Sequence, residues 1–134
     1  MDTQIPEIQE IINLYDEHVI ASSSDLKGMI TYVSEAFVKI SGYTKEELIG
    51  SSHSILRDKS MPKSLYKDLW GTISRQNTWK GEIRNRAKDG SFYWVEAVIK
   101  PKYKNQKHIG YDAIRRDITT AKKVEELHQQ VNNL

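Results

Sequence analysis

Apolar residues recur at intervals of three and four near the start of the chain, with acidic residues between most of them. This spacing is typical of an amphipathic helix, and we expect one over residues 5–19, within an N-terminal capping segment of residues 1–19. A helix with one apolar side needs a covering surface, so we expect it to pack on the body that follows. Its apolar positions are Ile5, Ile8, Ile11, Ile12, Tyr15 and Val19.

Residues 19–33 predict a β-hairpin, since Asp25 and Gly28 stand at the first and last positions of a tight turn between two short strands. Two short helices are predicted next. Ser34 is placed to cap the first, and Thr44 opens a capping box for the second. The body therefore begins with paired strands and continues with helices.

The period of the apolar positions changes in the second half of the body. Spacing of 3.6 after Pro62 predicts the longest central helix, ending near Gln76. From Trp79 the apolar and charged residues alternate strictly, which predicts a strand. Asp89 and Gly90 then mark a hairpin turn.

Two further strands complete the body. Strand 92–100 carries apolar residues on both faces, so we expect both of its faces to be covered. A polar loop over residues 102–107 is predicted to lead to a last strand over 108–116. Residues 20–119 therefore predict an α+β domain with a five-stranded antiparallel sheet, helices on one face, and a hollow between them.

The final segment, residues 120–134, predicts a second flanking helix. Its apolar residues are spaced three, four and three apart, which is the seam of a coiled coil. The pattern stops at the last residue, so we expect an output domain that is absent from this chain. The seam consists of Val124, Leu127, Val131 and Leu134.

Composition narrows the function classes. The 134 residues suit one domain, and the absence of cysteine excludes disulfides, thiol catalysis and thiolate metal sites. A net charge of +2 argues for neither a nucleic acid nor a membrane partner, and no apolar run is long enough to span a bilayer. Without a signal peptide or a catalytic motif, we expect a cytoplasmic segment that is not an enzyme.

Several spaced motifs resemble those of the PAS sensory domains of signalling proteins. The resemblance covers residues 20–120 and implies a PAS fold with an internal ligand cavity. The motifs are Val33-Ser34-Glu35-Ala36, Ser41-Gly42-Tyr43-Thr44, Glu47-Leu48-Ile49-Gly50, Lys88-Asp89-Gly90 and Arg116-Asp117-Ile118-Thr119.

Other stretches are similar to the PAS domains of aerotaxis receptors, which bind FAD and sense redox state. The resemblance therefore implies a flavin, with a cofactor-free module for dimerisation or for a small metabolite as the alternative. One segment departs from the aerotaxis pattern, because Asp58-Lys59-Ser60 replaces His-Pro-Asp. The similar stretches are Met61-Pro62-Lys63, Asp68-Leu69-Trp70, residues 79–86, Tyr93-Trp94-Val95 and Gly110-Tyr111.

Alternation places two polar side chains toward the hollow. Asn85 is in phase with Trp79 and Ile83, so its amide is expected to meet a flavin edge or a backbone group. Arg115 is in phase with Tyr111 and requires an anion, either from a ligand or from a carboxylate at the cavity mouth.

The other candidate cofactor residues include two tryptophans and a histidine. Trp70 and Trp79 are expected either to flank a flat ring, with Gly81 leaving room beside the sheet, or to be core residues. His53 stands where light-sensing flavin PAS domains carry a reactive cysteine, which excludes that photochemistry, and haem ligation is a further alternative. The complete candidate set is Asn85, Trp79, Trp70, Arg57, His53, Arg115 and Tyr93.

The flanks suggest a homodimer joined to an output domain such as a diguanylate cyclase, a histidine kinase or a chemoreceptor. The outer sheet face needs a cover, which the N-terminal helix supplies from its own chain or from a second copy. The exit helix then pairs with its twin. The candidate dimer and signal residues are Ile8, Ile12, Tyr15, Trp94, Asp117, Val124, Leu127 and Val131.

Overall fold

The computed structural model describes residues 5–134, so residues 1–4 of the predicted capping segment lie outside the described part. A five-stranded antiparallel sheet has the order β2-β1-β5-β4-β3, and the predicted α+β architecture is confirmed. The elements are α1 (Ile5–His18), β1 (Ile20–Asp25), β2 (Ile30–Val33), α2 (Glu35–Ser41), α3 (Lys45–Leu48), a 3-10 segment (His53–Leu56), α4 (Lys63–Ser74), β3 (Trp79–Arg86), β4 (Phe92–Lys104), β5 (Lys107–Asp117) and α5 (Thr119–Asn132).

The short helices end where their capping residues predict. Ser34 accepts a hydrogen bond from the Phe37 amide, and Gly42 ends α2 in the left-handed conformation with φ of 75°. Thr44 and Glu47 form the reciprocal bonds of a capping box at the start of α3. These helices are thus defined by local side-chain chemistry.

The predicted polar loop over residues 102–107 is wrong. β4 and β5 continue through it as a paired ribbon and meet at a two-residue turn, where Asn105 and Gln106 have φ of 51° and 67°. Turns with both central residues at positive φ match the twist of the flanking strands. The ribbon projects into solvent, so both of its faces can be polar. Its sequence therefore lacks the apolar alternation typical of a strand, and its charged residues predict a loop instead.

The core consists of two apolar clusters on one side of the sheet. Leu69 and Ile73 of α4 pack against β3, β4 and β5. Phe37 of α2 and Leu48 of α3 pack against β1 and β2. A hollow between the clusters lies above the middle of the sheet.

The expected packing of α1 on its own body is wrong over most of its length. No residue of α1 is buried. Ile8, Ile12 and Tyr15 remain 50%, 51% and 43% exposed. The helix contacts the body near its C-terminal end, where the Asp16 carboxylate accepts hydrogen bonds from the Tyr32 hydroxyl and from the Glu35 backbone N–H. The outer sheet face is therefore not covered by the apolar stripe of α1.

The start of α5 lies on the outer face of the sheet beside Trp94. The Thr119 hydroxyl oxygen accepts a hydrogen bond from the Trp94 backbone N–H at 2.9 Å. The Thr119 backbone N–H donates to the Asp117 carboxylate, which stabilises the turn before α5. The Lys122 ammonium lies 4.6 Å above the Trp94 ring and 3.0 Å from Glu82. Beyond this anchor Val124, Leu127 and Val131 are exposed. Within the described residues, no helix combines the length and the apolar character needed to cross a membrane.

Candidate functional site

The hollow is a cavity with a volume of about 100 Å³, and its mouth is open to solvent. Leu69 and Ile73 of α4 line one wall, and Ile83 and Ala97 line the sheet wall opposite. The polar wall residues come from β1, β3, β5, α4, and the 3-10 segment with its two flanking residues. They are Ser22, Ser24, Ser52, His53, Ser54, Arg57, Tyr66, Asn85 and Arg115.

Ser22 connects His53 and Arg115 at the polar end of the cavity. An Arg115 Nη1 donates to Ser22 Oγ at 3.0 Å, and Ser22 Oγ lies 3.1 Å from His53 Nε2. Because the hydroxyl accepts from the guanidinium, its own proton is free to point to His53 Nε2. His53 then carries its ring proton on Nδ1. Sequence analysis missed Ser22, although it is in phase with Ile20, which faces the core.

Burial determines the charge of this group. Burial and, to a smaller extent, the neighbouring Arg115 charge together lower the pKa of His53 to about 3. Burial also lowers the pKa of Arg115, to about 10, so the guanidinium is still charged at neutral pH. His53 is therefore neutral beside a charged Arg115.

Of the two anions considered for Arg115, a ligand or a carboxylate of the protein, the carboxylate at the cavity mouth is wrong. Among residues 5–134, no carboxylate lies within 4.0 Å of its guanidinium. Besides Ser22, its neighbour is the Phe37 ring, whose centre lies 5.0 Å away. An aromatic face offsets only part of a buried positive charge.

Asn85 faces the cavity as the alternation predicted and is 9% exposed. Its backbone forms an isolated bridge to Arg57, which ties the segment after the 3-10 turn to β3. Tyr93 pairs with Asn85 across the ribbon and is buried, but it is not on the cavity wall. Burial raises the pKa of Tyr93 to about 12, against the opposing influence of Arg115 and of the Asn85 amide.

The two candidate tryptophans occupy different places. Trp70 lies on the cavity wall, edge-on to Tyr111 at 5.8 Å between ring centres. Trp79 instead folds over Gly81, where an added Cβ would collide with the indole, and its Nε1 donates to Asp68 at 3.0 Å. The expectation that Gly81 leaves room for a flat ring is therefore wrong, because the indole of Trp79 fills that space.

Arg57 and Tyr66 also lie on the cavity wall. The exposed Arg57 guanidinium stacks 4.1 Å from the centre of the Tyr66 ring. The Tyr66 hydroxyl is buried and has no hydrogen-bond partner among the described residues. A buried hydroxyl without a partner is costly, so a ligand or water at this point would be stabilised.

Asp58, the residue that departs from the aerotaxis pattern, faces away from the cavity wall. It pairs with Arg84 of β3, lies 3.9 Å from Arg86, and accepts from the Ser60 hydroxyl at 2.7 Å. Burial by itself would raise the pKa of Asp58, but Arg84 and Ser60 hold it below its usual value. Its charge is therefore satisfied within the protein and is not directed at a ligand.

The cavity wall fits a flat heteroaromatic group with a polar edge. Leu69, Ile73 and Trp70 provide apolar contact, while Asn85 and Arg115 supply donors. The unpartnered Tyr66 hydroxyl is a further polar group that a ligand could satisfy. The flavin ring system has this combination of a flat apolar body and a hydrogen-bonding edge.

Comparison with known proteins agrees with the fold. A family model described as the PAS fold matches residues 30–115. The chain is 36% identical over 126 residues to the aerotaxis receptor of Escherichia coli, covering 92% of this chain and 25% of the receptor. It is 30% identical over 109 residues to a nitrogen fixation regulatory protein of Klebsiella pneumoniae, covering 81% of this chain and 22% of that protein.

A solved structure gives the same result. The PAS domain of a protein from Colwellia psychrerythraea superposes with a TM-score of 0.74 at 28% identity, covering 85% of this chain and 98% of that domain. The chain spans about a quarter of the length of the two curated relatives named above. The matched family model and the shared fold show that the chain belongs to the PAS family.

Proposed function

We propose that this chain is the sensory module of a bacterial signalling protein, that it holds a flavin in its cavity, and that it reports redox state or oxygen to an attached output domain. The observation that carries the proposal is the cavity itself, in which apolar walls surround the donors Asn85 and Arg115. The similarity to the aerotaxis receptor supports the same function. The module performs no catalysis of its own.

The wall residues have distinct roles in this proposal. Trp70 would contact the flat ring, and Asn85 and Arg115 would donate to its polar edge. Arg57, which is exposed on the wall, would pair with a phosphate group. His53 would act as a neutral group that positions Ser22 and Arg115. When bound, the flavin supplies the electron-accepting chemistry.

An absorption spectrum of the purified protein tests the flavin proposal. Bands near about 375 and 450 nm would indicate bound oxidised flavin. Asn85→Ala should reduce flavin retention because it removes an edge donor, whereas Asn13→Ala on the exposed face of α1 should leave retention unchanged. A colourless protein that also fails to take up added FAD would rule the proposal out.

A cofactor-free module that binds a small metabolite is the second candidate. Trp79 over Gly81 favours it, because the indole closes the part of the sheet wall where a ring was expected. In that case the protein would be colourless and would reject FAD, yet small ligands would still perturb the NMR signals of Asn85 and Arg115. Bound flavin in the purified protein would contradict this alternative.

We also propose that the module works as a homodimer. The apolar stripes of α1 and α5 are exposed, which is unfavourable for a monomer in water. The signal would pass from β3 and β4 to α5 through Trp94 and the turn at Asp117. The output domain would be a diguanylate cyclase, a histidine kinase or a chemoreceptor signalling region.

Sedimentation of the chain tests the dimer. Leu127→Glu should shift the equilibrium toward monomer because it places a charge in the exposed seam of α5. Glu126→Gln, next to it in sequence, provides a matched surface control. A purely monomeric protein at high concentration would contradict the proposal.

A further inference from the structure

The charges around the cavity are unbalanced. Two arginines, Arg57 and Arg115, contribute to the wall, and among the residues that the structure describes no aspartate or glutamate does. His53 adds no charge at neutral pH because burial keeps it unprotonated. The charged side chains of the wall are therefore cationic, which favours an anionic ligand over a cationic one.

The two arginines differ in what already stabilises them. Arg57 is exposed, so water can solvate its guanidinium. Arg115 is largely enclosed, and Ser22 is its one side-chain hydrogen-bond acceptor within residues 5–134. A guanidinium has five N–H donors, and a buried one is costly unless it is paired with an anion. Arg115 therefore has donors and charge left for a ligand.

The shape of the surroundings indicates which anion fits. The guanidinium is a flat fork that matches the two oxygens of a carboxylate. Trp70, Tyr111 and Ile73 form apolar walls in the same cavity, suited to a ring. At Arg115 itself, a phosphate group would bring more negative charge than this one enclosed guanidinium balances, since Arg57, the other arginine of the wall, is exposed. A small aromatic ligand that carries a carboxylate would pair its charge with the Arg115 guanidinium and pack its ring against the apolar side chains.

We propose that Arg115, with Ser22 and His53, forms an anion subsite that binds the carboxylate of a small aromatic ligand. The Ser22 hydroxyl completes the subsite because it can turn from His53 to donate to the carboxylate. Neutral His53 leaves the anion facing one full positive charge and a set of hydrogen bonds. Because the flavin proposal assigns Arg115 to the flavin edge, the two ligands would be alternative occupants of this cavity, and the subsite does not require the flavin proposal to hold.

Titration of the flavin-free chain with benzoate and with benzamide tests this subsite. The two compounds have the same shape and differ in charge. Benzoate should bind about tenfold more tightly, since a charge-assisted hydrogen bond is worth more than a neutral one. The side-chain Nε–H signal of Arg115 and the ring signals of His53 should move with benzoate in NMR spectra.

Variants separate the subsite from the rest of the protein. Arg115→Met should remove the preference for benzoate, and Arg115→Lys should retain part of it because the charge stays. Arg116→Met is the matched control, since Arg116 neighbours Arg115 in β5 but is exposed on the other face beside Glu96. It should leave the preference unchanged.

Three results would overturn the proposal: equal affinity for the two compounds, a preference that survives Arg115→Met, or no binding of benzoate. The absorption spectrum reports on flavin separately. A colourless protein that binds benzoate through Arg115 would support the subsite and contradict the flavin proposal. A purified protein that contains flavin, and that does not bind benzoate once the flavin is removed, would support the flavin proposal and contradict the subsite.

Discussion

Asp58 and Arg115 are two charged side chains enclosed by this small domain, and they differ in the partners that surround their charges. The Asp58 side chain is 3% exposed and meets Arg84, Arg86 and Ser60. Arg115 meets a serine hydroxyl and an aromatic ring, with no carboxylate in range within the described part of the chain.

The difference separates a structural role from a binding role. A buried charge is tolerated when its partners replace the water that it loses. Asp58 has such partners in its own chain, and its pairing with Arg84 ties the segment before α4 to β3. Arg115 lacks them, so the domain retains a charge whose cost a ligand can reduce. Four variants or conditions test this contrast.

Asp58→Asn should have the largest effect. It leaves Arg84 charged against a neutral amide, and we expect the free energy of unfolding to fall by about 2 to 3 kcal/mol. Urea denaturation measures this loss. Glu96→Gln removes the carboxylate of the exposed Arg116 pair and should change stability little. Equal losses in the two variants would contradict the structural role of Asp58.

Acidification should destabilise the cavity region through His53. Its folded pKa of about 3 lies below the unfolded value near 6.5, so the unfolded chain binds more protons between these values. Lowering the pH from 6.5 to 5 should therefore reduce stability by about 2 kcal/mol. Denaturation at a series of pH values measures the slope.

His53→Gln is the control for this pH dependence, since glutamine does not titrate. Its curve should be flatter than that of the unchanged protein across the same interval. The groups that face His53 are Arg115, Ser22, the Phe37 ring and the Gly28 backbone, and none of them titrates there as a carboxylate would. Identical slopes would show that His53 is not held neutral.

Ser22→Ala should have a smaller effect. Both His53 Nε2 and an Arg115 N–H lose their hydroxyl partner, which should lower the free energy of unfolding by about 1 kcal/mol. The cavity can admit water to these groups, which limits the loss. Ser54→Ala, at an exposed position on the cavity wall, should have almost no effect. If Ser54→Ala lowered the free energy of unfolding as much as Ser22→Ala does, the hydrogen bonds of Ser22 to His53 and Arg115 would not be the cause.

Arg115→Met should give the smallest change and the opposite sign. Without a ligand, replacing an unpaired enclosed cation by an apolar chain should leave stability unchanged or raise it by about 1 kcal/mol. Thermal and urea denaturation of the ligand-free protein measure it. A loss comparable with that of Asp58→Asn would mean that Arg115 is a structural residue after all.

Part of the site could be predicted from sequence because strand alternation decides which face a side chain occupies. Alternation predicts that Asn85 and Arg115 face the hollow, and both lie on the cavity wall. Alternation does not determine the conformation that a large side chain adopts on its face of the sheet. It could not show that Trp79 folds onto Gly81, or that Ser22 stands between His53 and Arg115.

The sequence by itself determined the features that depend on near neighbours: the capping box at Thr44, the end of α2 at Gly42, the strand after Trp79 and the family motifs. Tertiary structure decided the partners of the buried charges. Asp58 and Arg84 are 26 residues apart, and Ser22 and Arg115 are 93 apart. Local patterns do not encode contacts across such separations, because they form only when the whole sheet and its helices come together.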